Sequence, residues 1–224
     1  MKTVVITGAS SGIGYALAKE YAARGYSLGL AARSLDKLQT LKLEIEQEFA
    51  DKNIQVFIQV LDVNNPMDVA KDLNILFQSL GHVDILIANA GINNITKVGS
   101  GVLERELQVI QTNVIGAIAT VDAAVTYFKQ QGYGHVVGIS SLASLMAIPT
   151  QAAYCASKAA FSMYLESARI ELSGNNILFT IVTPGFIKTD IVANIEKYPF
   201  AISSQQAALE MAILIAKKRK TGIV

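Results

Sequence analysis

A chain of 224 residues is long enough to bury one sizeable core, and it predicts a single domain that spans residues 1–224. Its 19 basic residues nearly balance its 18 acidic residues, and the net charge of +1 gives no electrostatic support for binding to nucleic acid or to a membrane surface. Hydrophobic residues make up 51 % of the chain, yet no run approaches the roughly 18 consecutive apolar residues that span a bilayer.

Short apolar runs that predict strands alternate with longer amphipathic stretches that predict helices. The predicted strands are Thr3–Thr7, Ser27–Ala31, Gln55–Leu61, Ile85–Asn89, His135–Ile139 and Leu178–Thr183. The predicted helices are Tyr15–Arg24, Leu35–Phe49, Pro66–Leu80, Val102–Gln131, Gln151–Leu172 and Gln205–Ala216. This alternation is typical of a three-layer α/β fold of the Rossmann type, a doubly wound parallel sheet with helices on both faces. Ligands of such folds bind beyond the carboxyl ends of the strands.

A glycine-rich turn, TGASSGIG, joins the first predicted strand to the first predicted helix. A turn in this position presents free backbone N–H groups and the positive end of a helix dipole to a pyrophosphate. We expect Gly8 to allow a sharp exit from the strand, Gly12 to let the backbone approach the phosphates, and Gly14 to let the helix pack tightly on the sheet. The turn therefore predicts a dinucleotide site. Further ligand contacts are expected from Ser10, Ser11 and Ile13.

Tyr154 and Lys158 are four positions apart in a predicted helix, so their side chains share one face. An ammonium beside a phenol favours the phenolate, and Lys158 is expected to lower the pKa of Tyr154 toward neutrality. A tyrosine with such a pKa can exchange a proton with a substrate oxygen near physiological pH. Cys155, between the two, is interpreted as a small residue that fills packing space.

Together these motifs resemble the short-chain dehydrogenase/reductase family in its compact single-domain branch, and the resemblance covers essentially the whole chain. The glycine turn matches the family's TGxxxGxG, and Ser141 lies at the usual offset of its catalytic serine, thirteen residues before Tyr154. One departure is Ala88, which stands where the family's NNAG signature has its first asparagine. Asn113 stands where the family has an asparagine in a helix. The other matching residues are Asn89, Ala90 and Gly91 of NNAG, and Pro184, Gly185 and Thr189 of PGxxxT.

The resemblance implies hydride transfer between a nicotinamide cofactor and a carbonyl or secondary alcohol. Tyr154 would donate the proton in reduction and accept it in oxidation, while Lys158 would also hold the nicotinamide ribose. Ser141 would orient the substrate oxygen; Ser140 competes for this role, but the offset favours Ser141. Asn113 would anchor a water that links Lys158 to solvent, or it could simply bond a neighbouring carbonyl inside an apolar helix.

The same resemblance assigns the remaining cofactor contacts by position. Asp62 and Val63 follow the third predicted strand and would contact adenine. Thr189, helped by the backbone of Ile187, would bond the nicotinamide carboxamide. Further contacts are assigned to Asn89, Ala90, Gly91, Pro184 and Gly185.

The choice between NAD and NADP depends on the end of the second predicted strand. NAD enzymes carry an acidic residue there, which bonds the adenosine ribose, whereas this chain has Ala32 followed by Arg33. An arginine can pair with a 2′-phosphate, which favours NADP over NAD. Ser10 and Ser11 supply no second basic residue within the glycine turn, and an exposed loop arginine remains the alternative.

The predicted helices Val102–Gln131 and Gln151–Leu172 are apolar on nearly every side, so each must be covered on every side. The resemblance implies a four-helix interface in a homodimer or homotetramer. The alternative is that each helix packs only against neighbours in its own chain.

Other features of the sequence narrow the protein's location and chemistry. Met1 and Lys2 lead directly into the first predicted strand, so no signal peptide is indicated, and a single cysteine cannot form an internal disulfide. We therefore expect a cytoplasmic protein. His82 and His135 are isolated from other ligand-type residues, which gives no support for a metal site.

Two other functions share this fold. An epimerase would use the bound nicotinamide transiently, and a sensor or scaffold would bind NAD(P) without turnover. The substrate is expected to be a small carbonyl or alcohol compound, and apolar residues near the site favour an apolar one. The apolar residues behind this expectation, which core packing explains equally well, are Leu142, Leu145, Met146, Ile187, Ile191, Val192, Ile195, Tyr198 and Phe200.

Overall fold

Nine strands lie within residues 1–189 and 200–224, the part of the chain that the computed structural model describes. They are β1 (Thr3–Thr7), β2 (Ser27–Ala32), β3 (Val56–Val60), β4 (Ile85–Ala88), β5 (Gly134–Ile139), β6 (Ile177–Thr183), β7 (Ile187–Lys188), β8 (Ile202–Ser203) and β9 (Thr221–Ile223). Seven of them form a parallel sheet in the order β3-β2-β1-β4-β5-β6-β9, and β7 pairs with β8 separately.

Seven α-helices accompany the strands in the described residues. They are α1 (Gly12–Ala23), α2 (Leu35–Glu48), α3 (Pro66–Leu80), α4 (Leu103–Ile110), α5 (Ala117–Gln131), α6 (Ala152–Glu171) and α7 (Ser204–Ala216). A π-helical turn, Gln111–Gly116, joins α4 to α5 without a break. Short 3-10 turns occupy Ala50–Lys52 and Leu142–Ser144.

Two hydrophobic cores lie on opposite faces of the sheet. Successive side chains of a strand point to opposite faces, and accordingly Val4 and Ile6 of β1 lie in one core while Val5 lies in the other. The first core is closed by residues of α1, α2 and α7, and the second by residues of α3, α5 and α6. The predicted three-layer, doubly wound α/β fold is confirmed.

The order of the strands reverses beside β1. The chain passes from β1 outward through β2 to β3, then returns across the sheet to β4, which pairs with the other side of β1. In parallel sheets this reversal opens a crevice beyond the carboxyl ends of the two central strands. Here the residues that follow β1 and β4 are the glycine turn and the segment Asn89–Gly91.

The six predicted strands are all present, and no predicted boundary differs from the observed one by more than one residue. The predicted helix Val102–Gln131 is interrupted by the π-helical turn, which the hydrophobic pattern did not reveal because its residues remain helical. The edge strand β9 was not predicted, since three residues are too few to show a period. By length and composition alone, Leu103–Gln131 is the one described helical run that could cross a membrane; 56 % of its most apolar window is buried, as in a core helix.

Candidate active site

The glycine turn between β1 and α1 leaves no room for a side chain at Gly8 or at Gly14. Gly8 and Gly12 have φ of +67° and +54°, in the left-handed region that favours glycine. An added Cβ at Gly8 would lie 2.8 Å from the Cα of Ala90, so this glycine lets the ends of β1 and β4 approach each other.

Gly14 lies where α1 approaches the ends of two central strands. An added Cβ there would lie 2.2 Å from the carbonyl oxygen of Gly8 and 2.6 Å from Nδ2 of Asn89. Gly8 and Asn89 directly follow β1 and β4, so the missing side chain lets the helix lie close to these strand ends, in agreement with the expected role. Asn89 completes this arrangement, because its Nδ2 donates to the carbonyl oxygens of Thr7 at 2.9 Å and Gly8 at 3.2 Å.

A cavity of about 490 Å³ lies beyond the carboxyl ends of the central strands. It brings together residues from distant parts of the sequence, as the fold requires. The predicted site residues that line it are Gly8, Ser10, Ser11, Gly12, Ile13, Arg33, Asp62, Val63, Asn89, Ala90, Gly91, Tyr154, Lys158 and Thr189. Lining residues that the sequence analysis did not assign to the cofactor site include Ser34, Lys37, Leu61, Asn64, Ile92, Thr112, Ile139 and Ser140.

Tyr154 lies in the first turn of α6, beside Ser141. Burial raises the pKa of its phenol, and the neighbouring Ser141 hydroxyl only partly offsets that rise. The expectation that Lys158 lowers this pKa is not met. Lys158 Nζ lies 5.8 Å from the centre of the tyrosine ring and donates instead to the carbonyl oxygen of Ile139 at 2.9 Å.

Lys158 is a buried cation with 6 % of its surface exposed. Burial lowers the pKa of its ammonium to about 8, since removal from water disfavours the charged form. Its Nζ donates to the Ile139 carbonyl, and an added Cβ at Gly91 would lie 3.5 Å from it, an ordinary contact distance. Lys158 and Gly91 both line the cavity.

Asn113 occupies the π-helical turn and is 1 % exposed. Its side-chain amide clamps the backbone of Ile92: Oδ1 accepts from Ile92 N at 2.8 Å, and Nδ2 donates to Ile92 O at 2.8 Å. Nδ2 also donates to Oγ of Ser157 in α6 at 3.1 Å. Of the two predicted roles, bonding to a neighbouring carbonyl is present, and it fixes the loop that follows β4.

Ser140 and Ser141 point in different directions although they are adjacent. The Oγ of Ser140 lies 2.6 Å from Oγ of Ser162 in α6 and donates to the Lys158 carbonyl at 3.4 Å, so this hydroxyl ties the end of β5 to the helix. Ser141 begins the 3-10 turn, where its Oγ accepts from Ala143 N at 3.2 Å. Ser140 lines the cavity, whereas Ser141 lies beside Tyr154, and the preference for Ser141 as the residue that orients the substrate oxygen stays a prediction.

Polar groups also gather at the far end of the cavity, beyond β2 and β3. Arg33, Ser34 and Lys37 line it on one side, and Asp62 with Asn64 on the other. Lys37 lies in the first turn of α2 and supplies the second basic residue that the glycine turn lacks. The sequence could have revealed this pair of cations. Arg33 follows the second predicted strand, and Lys37 lies four residues later.

The segment after β6 lies at the end of the predicted site where the nicotinamide is expected. The carbonyl of Pro184 accepts from Leu142 N at 2.9 Å, and Gly185 N donates to Val224 O at 2.8 Å, so both anchor the segment without lining the cavity. Ile187 is buried in the core. Of the apolar residues proposed near the substrate, Ile191, Val192, Ile195 and Tyr198 lie outside the described residues.

Comparison with known proteins places these features in context. The family description "short chain dehydrogenase" matches residues 2–199. An uncharacterised oxidoreductase of Mycobacterium tuberculosis is 39 % identical over 191 residues, which cover 85 % of this chain and 75 % of that protein. The 11-beta-hydroxysteroid dehydrogenase 1A of Arabidopsis thaliana is also 39 % identical over 191 residues, 85 % of this chain and 53 % of that protein.

One solved structure extends the comparison to a bound ligand. The alcohol dehydrogenase of the archaeon Thermococcus sibiricus, complexed with 5-hydroxy-NADP, superimposes with a TM-score of 0.88 at 29 % identity. The alignment covers 100 % of this chain and 96 % of that one.

Proposed function

The chain belongs to the short-chain dehydrogenase family of oxidoreductases, and on that premise we propose that it transfers hydride between NADP(H) and a carbonyl or secondary alcohol. The observation that carries this proposal is the cavity itself. It joins a glycine turn that admits no side chain at Gly8 or Gly14 to Tyr154 and the buried Lys158, and Ser141 lies beside the tyrosine. A dinucleotide fits the first part and a carbonyl oxygen fits the second.

The cofactor would be held along the cavity by groups from four strand ends. The N–H groups of the glycine turn, with Ser10, Ser11 and Ile13, suit the pyrophosphate. Asp62 and Val63 suit adenine. Asn89, Ala90, Gly91 and Thr189 line the remaining length, with Pro184, Gly185 and Ile187 behind Thr189. When bound, the nicotinamide supplies or accepts the hydride.

Tyr154 and Ser141 would act on the oxygen of the substrate. The two hydroxyls lie beside each other, and both would bond the same carbonyl oxygen. In reduction the phenol of Tyr154 donates its proton to that oxygen, and in oxidation the oxygen of Tyr154 takes the proton back. Burial raises the pKa of the phenol, so the phenol is protonated at neutral pH, the form that reduction requires.

Lys158 and Asn113 would support this step from behind. The ammonium of Lys158 donates to the Ile139 carbonyl, and the residue lines the cavity, from where it would bond a ribose hydroxyl and restore the proton of Tyr154. Asn113 holds Ile92 and Ser157, the residue before Lys158. A water anchored by Asn113 is a further part of the proposal.

Replacing Tyr154 by phenylalanine tests the proposal most directly. We expect Tyr154→Phe to lower kcat by about 100-fold or more with a panel of ketones and NADPH, because general acid catalysis contributes roughly that factor. Binding of NADPH, followed by its fluorescence, should stay near the wild-type value. Tyr164→Phe, a partly buried tyrosine on the same helix, is the matched control and should keep wild-type turnover.

The absorbance of the reduced nicotinamide distinguishes the alternatives. A reductase consumes it in proportion to the carbonyl added, an epimerase shows no net change, and a sensor binds NADPH without turnover. Equal kcat in the wild type and Tyr154→Phe would contradict the role assigned to the phenol.

We also propose a cytoplasmic homodimer or homotetramer, in which the exposed sides of α4, α5 and α6 meet their counterparts.

A further inference from the structure

The π-helical turn between α4 and α5 holds the loop after β3 as well as the loop after β4. Thr112 Oγ1 donates to Oδ1 of Asn64 at 2.8 Å, and Gln111 Nε2 donates to the Asn64 carbonyl oxygen at 3.0 Å. Gly116 lies against the same loop, since an added Cβ there would be 2.6 Å from the carbonyl oxygen of Val63. Three residues of one turn therefore fix two consecutive residues of the loop.

The loop that is held in this way forms the adenine end of the proposed cofactor site. Asp62, Val63 and Asn64 all line the cavity, and so does Thr112. Within the loop, Asn64 N donates to Oδ1 of Asp62 at 3.0 Å. This bond occupies one oxygen of the carboxylate and leaves Oδ2 to accept from a donor in the cavity. The 6-amino group of adenine is such a donor.

The direction of the Asp62 carboxylate depends on Asn64, and the orientation of Asn64 depends on Thr112. Among the contacts from the turn, the bond from Thr112 is the one that fixes the side-chain end of Asn64. With its carbonyl oxygen bonded to Gln111 as well, Asn64 is held at both ends while its N–H bonds Asp62. Thr112 is only 6 % exposed, and a buried hydrogen bond is costly to leave unmade, so this hold is present before any ligand binds.

We infer that Thr112 is a positioning residue for adenine recognition: through Asn64 it directs the Asp62 carboxylate toward the 6-amino group of the cofactor. The site should then distinguish adenine from hypoxanthine, which carries an oxygen at position 6 and a proton on the ring nitrogen beside it. A carboxylate held toward position 6 meets a second acceptor there, whereas a carboxylate that is free to turn can accept from the ring N–H. The role rests on the proposed function and names the base that the same site selects.

Binding of NADPH is compared with binding of its hypoxanthine analogue by fluorescence titration. For the wild type we expect the analogue to bind about tenfold or more weakly, because a site built around a donor rejects a ligand that lacks it. In Thr112→Val, which keeps the shape of the side chain without the hydroxyl, the ratio of the two dissociation constants should fall to about one. Thr112→Ser keeps the hydroxyl and should retain the wild-type ratio.

Thr120→Val is the matched control. Thr120 is a buried threonine of α5 whose Oγ1 donates to the carbonyl oxygen of Gly116 at 2.8 Å, so the change removes a buried hydroxyl from the same helical run and leaves the bond to Asn64 in place. It should keep the wild-type ratio. If a melting curve shows that Thr112→Val does not fold, Asn64→Ala removes the same bond from the other partner and should give the same loss of discrimination.

NADH and its hypoxanthine analogue should give the same ratio, so the result does not depend on the choice between NADP and NAD. A wild type that binds both members of a pair equally would overturn the role of Thr112. The same holds for a Thr112→Val variant that weakens both members equally, and for a Thr120→Val variant that loses the ratio as well. No binding of any of these dinucleotides to the wild type would contradict the proposed function itself, and the role of Thr112 with it.

Discussion

Tyr154 and Lys158 show how burial outweighs proximity in setting pKa values. They share one face of α6, yet the Lys158 ammonium is 5.8 Å from the tyrosine ring and bonded to a backbone carbonyl. Burial therefore dominates both groups, raising the pKa of the phenol and lowering that of the amine to about 8. The spacing in the sequence identified the pair correctly but gave the wrong direction for the phenol, because spacing carries no information on desolvation.

Arg33 provides a prediction about cofactor choice at the same scale. We expect Arg33→Ala to weaken NADPH binding by about 10- to 100-fold and NADH binding much less, since charge-assisted bonds to a phosphate contribute roughly 1.5 to 3 kcal/mol. The measurement is a fluorescence titration with each cofactor. Arg24→Ala is the control, because Arg24 forms an ion pair with Glu20 at the far end of α1. Equal losses for both cofactors would remove the assignment of Arg33 to the 2′-phosphate.

The π-helical turn between α4 and α5 is the element that organises the site. It places Asn113 beside the backbone of Ile92, and the same amide reaches Ser157 in α6. One side chain thus connects the loop after β4 to the helix that carries Tyr154. Irregular helical turns of this kind occur frequently at functional sites, and no pattern of apolar residues reveals them.

His135 in β5 gives a prediction at the scale of the sheet edge. Its Nε2 lies 2.8 Å from Oγ1 of Thr180 in β6, and that hydroxyl donates to the carbonyl of Arg219 just before β9. Because the hydroxyl's only proton is used there, Nε2 of His135 must donate, which a neutral ring protonated at Nε2 can do. Burial, aided by the charge of Lys218, lowers the pKa of His135 to about 4.

The stability that neutral His135 contributes is present above its unfolded pKa of about 6.5 and is lost as pH falls toward 4. We expect the wild type to lose up to about 3 kcal/mol of unfolding free energy over this range relative to His135→Gln, at roughly 1.4 kcal/mol per pKa unit. Urea denaturation at several pH values measures the difference. His82→Gln, at a partly exposed site, is the control and should follow the wild type; a parallel profile for His135→Gln would contradict the assignment.

At the scale of the whole molecule, the outer side of α6 points to association between copies of the chain. Its exposed residues recur at helical spacing and are almost all small or apolar: Ala152, Ala156, Ala159, Ala160, Met163, Ser167 and Ile170. On the adjoining helical run, Leu103, Leu107 and Ile115 are also exposed. Exposed apolar stripes of this extent commonly mark protein–protein interfaces.

A charge placed on the α6 stripe should therefore separate the copies. We expect Met163→Glu to weaken self-association by roughly 100-fold or more, since an unpaired carboxylate is costly to bury. Light scattering coupled to size-exclusion chromatography should show half the wild-type mass at low concentration. Met67→Glu, on α3 and 91 % exposed, is the matched control and should leave the mass unchanged. A monomeric wild type would contradict the proposed interface.

The sequence by itself determined six of the seven strands of the main sheet, the helices, the family and most residues of the cavity. These follow from local information: apolar periodicity fixes each element, and the glycine turn and the Tyr154–Lys158 spacing are contiguous segments whose geometry the backbone dictates. The preference for Ser141 over Ser140 also came from spacing, and it stays a prediction.

Only the tertiary structure decided what depends on groups distant in the chain. The contacts of Gly14 are with Gly8 and Asn89 at two strand ends, the direction of the Tyr154 pKa depends on burial, and Lys37 becomes part of the cavity by the packing of α2. The bond from Thr112 to Asn64 is likewise visible only after every neighbour has been placed. Desolvation and hydrogen-bond satisfaction are properties of the surroundings, and the surroundings exist only once the chain has folded.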